Sequence, residues 1–441
     1  MGHLLVLVKG ARVGTVLVRV LLLAALTMFL SAVLTSPALA HTSHTLHPQR
    51  LLHAILQRTD PLEGSVLSRP PTSVCLWFSE PVQLVGPSVT VLALSGINVE
   101  QGAVRVQGAV LCVPIHITAE GSYLVTWDVI SQDTHPASGA FVFSIGHIGG
   151  IWASTTTSSV SPLGLLLQIL ARLLHFLGYA LGFGSLAFCL LVLRPLAIDR
   201  KKSVQQRTFR LVTWGIILLL LAEPVALLAQ IVSLRAGVLL NAIIIGDVLA
   251  SSFGHILALR LGAGVLLWVI IGIAQQGDDR AIPATLVVGL LLAVVDGEAS
   301  HAVSSHLVWL GLIANTLHIA AMGIWIGGLV SILYLWRLEE IYEQHREMLL
   351  LFGQVAVAAV VELVLSGSIM AWLQLSSPAD FFTSAYGEVL TIKILALSLP
   401  LLFAFISQRT QQRTRWWVPE LLALISLLVL ACLLASLPQP T

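Results

Sequence analysis

Residues 307–336 read LVWLGLIANTLHIAAMGIWIGGLVSILYLW, thirty positions without one Asp, Glu, Lys or Arg. At about 1.5 Å of rise per residue, a helix of this length exceeds the ~30 Å hydrocarbon core of a bilayer. Backbone polar groups find no water there, so the segment must be helical. Working outward, seven similar apolar stretches lie at about 163–194, 208–233, 254–275, 281–297, 349–374, 388–408 and 416–437. The expectation is an all-α polytopic membrane domain of eight helices over 163–441, with the fourth the shortest. Composition agrees: 57% of the 441 residues are hydrophobic and only 10% charged, against about a quarter in soluble domains. A solvated soluble enzyme and a disordered chain are both excluded.

Sparse charge orients the helices. If the segment before them lies outside, the inner loops carry Arg194, Arg200, Lys201, Lys202, Arg207, Arg210, Arg280, Arg337, Arg346, Arg409, Arg413 and Arg415. The outer loops between helices carry only Arg235. Twelve against one is a strong positive-inside bias, which places the N-terminal domain and the C-terminus outside a plasma or inner membrane. Net charge is +1, so no basic excess points to nucleic acid.

Upstream, Lys9, Arg12 and Arg19 precede an apolar run from Val20 to Val33, and Ala38-Leu39-Ala40 is a small-x-small cleavage signature. Residues 1–40 read as a signal peptide leaving His41 as the mature N-terminus; the alternative is an uncleaved anchor. Residues 41–152 read as a β-sandwich, because short runs at 73–78, 89–94, 110–117, 123–129 and 140–145 fall between turn signals such as Pro70-Pro71 and Gly86-Pro87. Residues 153–162 contain a Ser/Thr-rich linker. Cys75 and Cys112 lie in two predicted outer strands and either pair or stay as buried thiols, while Cys189 and Cys432 lie in helices.

Fourteen histidines stand beside only five methionines. His41, His44, His47 and His53 crowd the expected mature N-terminus. Asp133 and His135 are two apart, so an extended backbone points both to one side. A carboxylate with imidazoles suits Cu(II) or another divalent ion that prefers nitrogen and oxygen.

The stretch His53-Ala54-x-Leu56-x-x-x-x-Pro61-x-x-Gly64-Ser65, then Phe78-Ser79-Glu80-Pro81, then Trp127-x-x-x-Ser131-x-Asp133-x-His135-Pro136-x-x-Gly139-x-x-x-Phe143 resembles the copper resistance protein CopC family. That resemblance implies an Ig-like periplasmic copper-binding sandwich, with His53, Asp133 and His135 as Cu(II) ligands. Glu80 would orient a ligand imidazole. His53 stands twelve residues beyond the expected cleavage site, so His41 is the alternative N-terminal ligand. Residues 41–155 hold no Met, which excludes a thioether Cu(I) site in the sandwich.

The membrane half resembles the CopD family. The match rests on Leu317-His318-x-x-Ala321-x-x-x-Trp325-x-Gly327-Gly328-Leu329, on Ser366-Gly367, on Thr383-x-x-Tyr386-Gly387-x-x-Leu390-x-x-Lys393 and on Arg172…Gly178…Arg194-Pro195. A CopC-like domain fused to a CopD-like one also occurs in the YcnJ-type copper uptake proteins. The residues give a parallel reading, since ionisable groups at membrane depth are functional candidates by default. His175, Glu223, His318 and Glu362 lie well inside their spans, with Met322 on the His318 face and Met370 on the Glu362–Ser366 face. They form an expected path for Cu(I) or Cu(II). His301 and His306, with Asp296 and Glu298, form either an entry site or a polar loop. Arg260 and Lys393 either snorkel or pair with carboxylates, and Trp325 with Gly327-Gly328 serves close helix packing.

The expected function is copper capture outside the membrane and transport across it, with a copper chaperone or reductase as partner. The competing readings are a haem-binding electron-transfer protein or metalloreductase, and a copper buffer or sensor without transport. No phosphate loop, aspartyl-phosphate domain or Ser/His/Asp arrangement points to an enzyme. N-terminal sequencing of the mature protein is expected to begin at His41; a start at His53 would instead restore the family's terminal ligand.

Overall fold

The computed structural model describes residues 54–131, 134–147, 161–234, 242–278, 280–298, 307–375, 377–409 and 413–437. The signal, the 153–160 linker and the expected site residues His41, His53, Asp133 and His301 lie outside these.

Eight strands build the N-terminal part: β1 (Leu56–Asp60), β2 (Val66–Leu67), β3 (Ser73–Phe78), β4 (Val82–Ala93), β5 (Arg105–Gln107), β6 (Val110–Pro114), β7 (Gly121–Ser131) and β8 (Pro136–Ile145). They form two four-stranded sheets, ordered β1-β3-β6-β5 and β2-β8-β7-β4. Alternation explains the layers. Val74, Leu76 and Phe78 of β3 and Leu111 and Val113 of β6 turn inward to meet Val125, Trp127, Phe141 and Phe143 of the other sheet. Cys75 and Cys112 occupy the alternate pleat positions, directly opposite each other, and form a disulfide. Gly86-Pro87 does not end a strand as expected. It lies inside β4, where the register with β7 shifts between Leu84 and Val89, so the strand starts at Val82.

The helices are α1 (Pro162–Leu193), α2 (Lys202–Ser233), α3 (Ala242–Ala250), α4 (Ser252–Gln275), α5 (Ala281–Glu298), α6 (Val308–Leu335), α7 (Glu339–Gln374), α8 (Asp380–Thr383), α9 (Ala385–Arg409) and α10 (Arg413–Leu434). Among the described residues, all but α3 and α8 are long and apolar enough to cross a membrane, at the eight expected places. The α3 helix was not expected, since its nine residues are too few for a span.

The chain divides into two compact units. In the first, the sandwich and the start of α1 join Val225–His255. Val85 and Ile130 of the sandwich pack with Leu234, Ile244 and Val248. Around this apolar contact, the Gly86 N–H donates to Asp247 Oδ2 (2.9 Å) and the Ser252 N–H to Gln83 Oε1 (2.8 Å).

The second unit comprises 171–224 and 256–435, and α6 is its hub, touching α1, α5, α7 and α10. Gly184 of α1 lies against Gly323 and Gly327 of α6, backbone on backbone, and Gly327 also meets the Ala180 carbonyl. A Cβ at Gly184 or Gly327 would overlap main-chain atoms, and one at Gly323 would press on the Tyr179 ring. Gly328 lies under the Phe352 ring. The packing role expected for Gly327-Gly328 therefore holds. In α1 this contact falls on a π-helical turn, Ala180–Gly184.

Reduction of the Cys75–Cys112 bond, which closes a 37-residue separation, is expected to lower sandwich stability by about 3–4 kcal/mol. Thermal unfolding of the full chain with and without reductant measures this; an unchanged midpoint would contradict it.

Candidate metal and proton sites

The sandwich motif is built around one turn. Trp127 on β7 pairs with Gly139 on β8, and the indole ring covers the glycine so closely that a Cβ would sit 2.5 Å from it. Phe78 meets the same ring edge-on at 5.1 Å. Where β7 ends, the Ser131 N–H and its hydroxyl both donate to the His135 carbonyl, each at 2.9 Å, and the Thr134 N–H returns to the Ser131 carbonyl at 3.1 Å. Thr134 takes a left-handed backbone (φ 72°) to close the turn. His135 is thereby held at the start of β8, largely buried, and Glu80 is buried in the same domain. Gln230 of α2 donates from Nε2 to the Thr134 carbonyl at 3.0 Å, which fastens this turn to the end of α2.

In the membrane part, His318 lies ten residues into α6 and Ser366 eight residues before the end of α7. The Ser366 hydroxyl donates its single proton to the Glu362 carbonyl (2.5 Å). With that proton on the Glu362 carbonyl, the hydroxyl accepts from the His318 ring, whose Nδ1 lies 3.0 Å away. In that arrangement neutral His318 carries its proton on Nδ1 and its lone pair on Nε2. Gly367 packs beside the ring, where an added Cβ would stand in ordinary contact with His318 Cε1 at 3.4 Å. Met322 is half-buried one turn along α6, and Glu362 and Met370 are half-buried on α7.

His175 is arranged differently. Its Nδ1 lies 3.2 Å from Glu223 Oε1 and its Nε2 lies 2.9 Å from Asp296 Oδ2. The Arg260 Nε–H donates to Asp296 Oδ1 at 2.9 Å. All three partners of the imidazole network are on different helices, and His175, Glu223 and Asp296 are each at most 5% exposed. With His175 as imidazolium, two positive and two negative charges cancel. In that arrangement His175 offers no lone pair. Asp296 thus lies in helix α5 and bonds His175 and Arg260, while its expected cluster partners His301 and His306 lie outside the described residues, and Arg260 pairs rather than snorkels.

Among the described residues no three His, Cys, Asp or Glu side chains gather as a metal site. Sequence reasoning missed Gln230, Asp247 and Glu420, the last accepting from Trp325 Nε1 at 3.4 Å. Glu420 carried a signal, being an acidic residue inside an apolar stretch; a glutamine at a helix end carries none.

Comparison with known proteins agrees with this layout. The CopC domain family matches residues 56–146, the copper resistance protein D-like N-terminal domain 161–312, and copper resistance protein D 346–437. The copper transport protein CutJ of Bacillus subtilis (strain 168) is 25% identical over 417 residues, 88% of this chain and 74% of that protein. Copper resistance protein C of Xanthomonas campestris pv. juglandis is 26% identical over 124 residues, 26% of this chain and 92% of that protein. The crystal structure of CopC from Methylosinus trichosporium OB3b is covered fully by 23% of this chain, at 25% identity and TM-score 0.20.

Replacing Asp296 by Ala leaves the buried Arg260 without its carboxylate and His175 with Glu223 alone, and is expected to cost about 3–5 kcal/mol, with loss of both Asp296 and Arg260 costing less. Thermal midpoints in detergent measure this; a double variant less stable than Asp296→Ala would contradict the charge-balance account.

Proposed function

We propose that this CopC–CopD fusion captures copper outside the membrane and passes it inward. The sandwich takes Cu(II) through Asp133, His135 and an N-terminal imidazole, either His53 or His41 with its amine, and Glu80 orients a ligand ring. The nitrogen and carboxylate donors suit Cu(II), and the absence of Met leaves no soft sulfur for Cu(I). Pinning of the Thr134 carbonyl by Gln230 supports delivery from a fixed position.

The membrane step runs through His318, with Met322, Glu362 and Met370 beside it and His301 at the entrance. The observation that carries this is the Ser366 contact at His318 Nδ1, which supports a ring whose proton is on Nδ1 and whose lone pair is on Nε2. Thioether and imidazole together hold either copper oxidation state. Reduction of Cu(II) falls to a separate reductase or chaperone, and the protein itself is a carrier rather than an enzyme. It sits in the plasma or inner membrane with its sandwich and C-terminus outside, as the Lys/Arg bias requires.

Cells carrying His318→Ala are expected to lose copper accumulation while the sandwich still binds copper. Ser366→Ala, which frees the tautomer, is expected to lower uptake by about tenfold. Unchanged accumulation in His318→Ala would contradict transport, and a Soret band in the purified protein would favour the haem reading instead.

A further inference from the structure

From the geometry around His175 we infer that it and Glu223 form a proton-binding site at membrane depth, separate from the copper path. Both ring nitrogens of His175 face carboxylates, and both Asp296 oxygens are taken, one by His175 and one by Arg260. A metal ion entering here would meet an imidazolium and a guanidinium and find no open lone pair on the ring. A proton needs neither. Glu223 Oε2 is buried and has no partner among the described residues, and neither has the Tyr179 hydroxyl. Glu223 is the member of the network with an acceptor to spare.

Among the described residues the charged groups facing His175 are Glu223 on α2, Arg260 on α4 and Asp296 on α5, and Tyr179 on its own helix interacts with Asp296. Asp296 and Arg260 are matched charges that stay fixed. The mobile proton sits between His175 and Glu223. Its transfer breaks the Nδ1–H bond, leaves that electron pair on nitrogen and forms an O–H bond on Glu223. The products are a neutral imidazole still donating from Nε2 to Asp296 and a neutral carboxylic acid, so the network stays at net zero. Loss of the proton from Glu223 to water then leaves it at −1, and rebinding reverses the step.

Beside Tyr179 lies a small cavity lined by Phe183, Val212, Ile216, Leu219, Leu267 and Leu292, with the Thr285 hydroxyl bonded to the Ala281 carbonyl. Linkage of this proton to copper movement rests on the transport reading; the site itself does not.

The test is infrared difference spectroscopy on the copper-free full chain in lipid, titrated from about pH 5 to about pH 8. A protonated-carboxyl band that changes with pH is expected, lost in Glu223→Gln and altered in His175→Gln. Glu223→Asp, which keeps the group, should shift the band rather than remove it and guards against misfolding of the glutamine variant. No pH-dependent carboxyl or imidazole band, or one that persists in correctly folded Glu223→Gln, would overturn the proposal. Copper flux in the same vesicles separates the two readings. A wild type that titrates but moves no copper contradicts transport and leaves the proton site standing. Copper flux without any titrating band contradicts the proton site alone.

Discussion

A carboxylate taken from water into hydrocarbon costs several kcal/mol even after relaxation, and far more if nothing nearby carries the opposite charge. Helices α1, α2, α4 and α5 bring four formal charges into that environment, each supplying one. No two of the four are sequence neighbours, so the charges cancel only when all four helices are in place. This makes the His175 network a condition on the bundle rather than an ornament of it. The close contact of Gly184 with Gly323 and Gly327 brings α6 to the same helix, and α6 in turn holds His318 against α7. One imidazole is buried among paired charges, the other lies against a serine hydroxyl.

The sandwich obeys a different constraint. The turn between β7 and β8 is held by the sandwich itself. Trp127 over Gly139 and the doubled bond from Ser131 to the His135 carbonyl do this. Apolar contact of Val85 and Ile130 with Leu234, Ile244 and Val248 then fixes the domain on α3 and the end of α2.

Much of this was legible in the sequence, and the reasons differ by level. Span and strand positions follow from local hydropathy and alternation, so eight helices and the main strands were readable. The break was Gly86-Pro87, where a bulge paired against β7 outweighs the local turn signal. His175 and Glu223 were identifiable by depth alone. Their partnership was not, because it joins residues 48 and 121 positions apart. Asp296 was read as flanking the end of its span, but the helix runs on to Glu298 and the side chain turns to His175 and Arg260 on other helices. Gln230 and Asp247 matter only through the domain they touch, which no local pattern announces.

Family resemblance points to the metal, while the Ser366 contact of His318 and the paired charges at His175 are properties of this chain's own packing. The most direct test of the whole account is radioactive copper flux into vesicles holding the purified chain with its sandwich facing outward. The account predicts saturable accumulation inside the vesicles, beyond the amount bound by protein. Copper bound at fixed stoichiometry with none released inside would contradict it and leave only a membrane-anchored copper buffer.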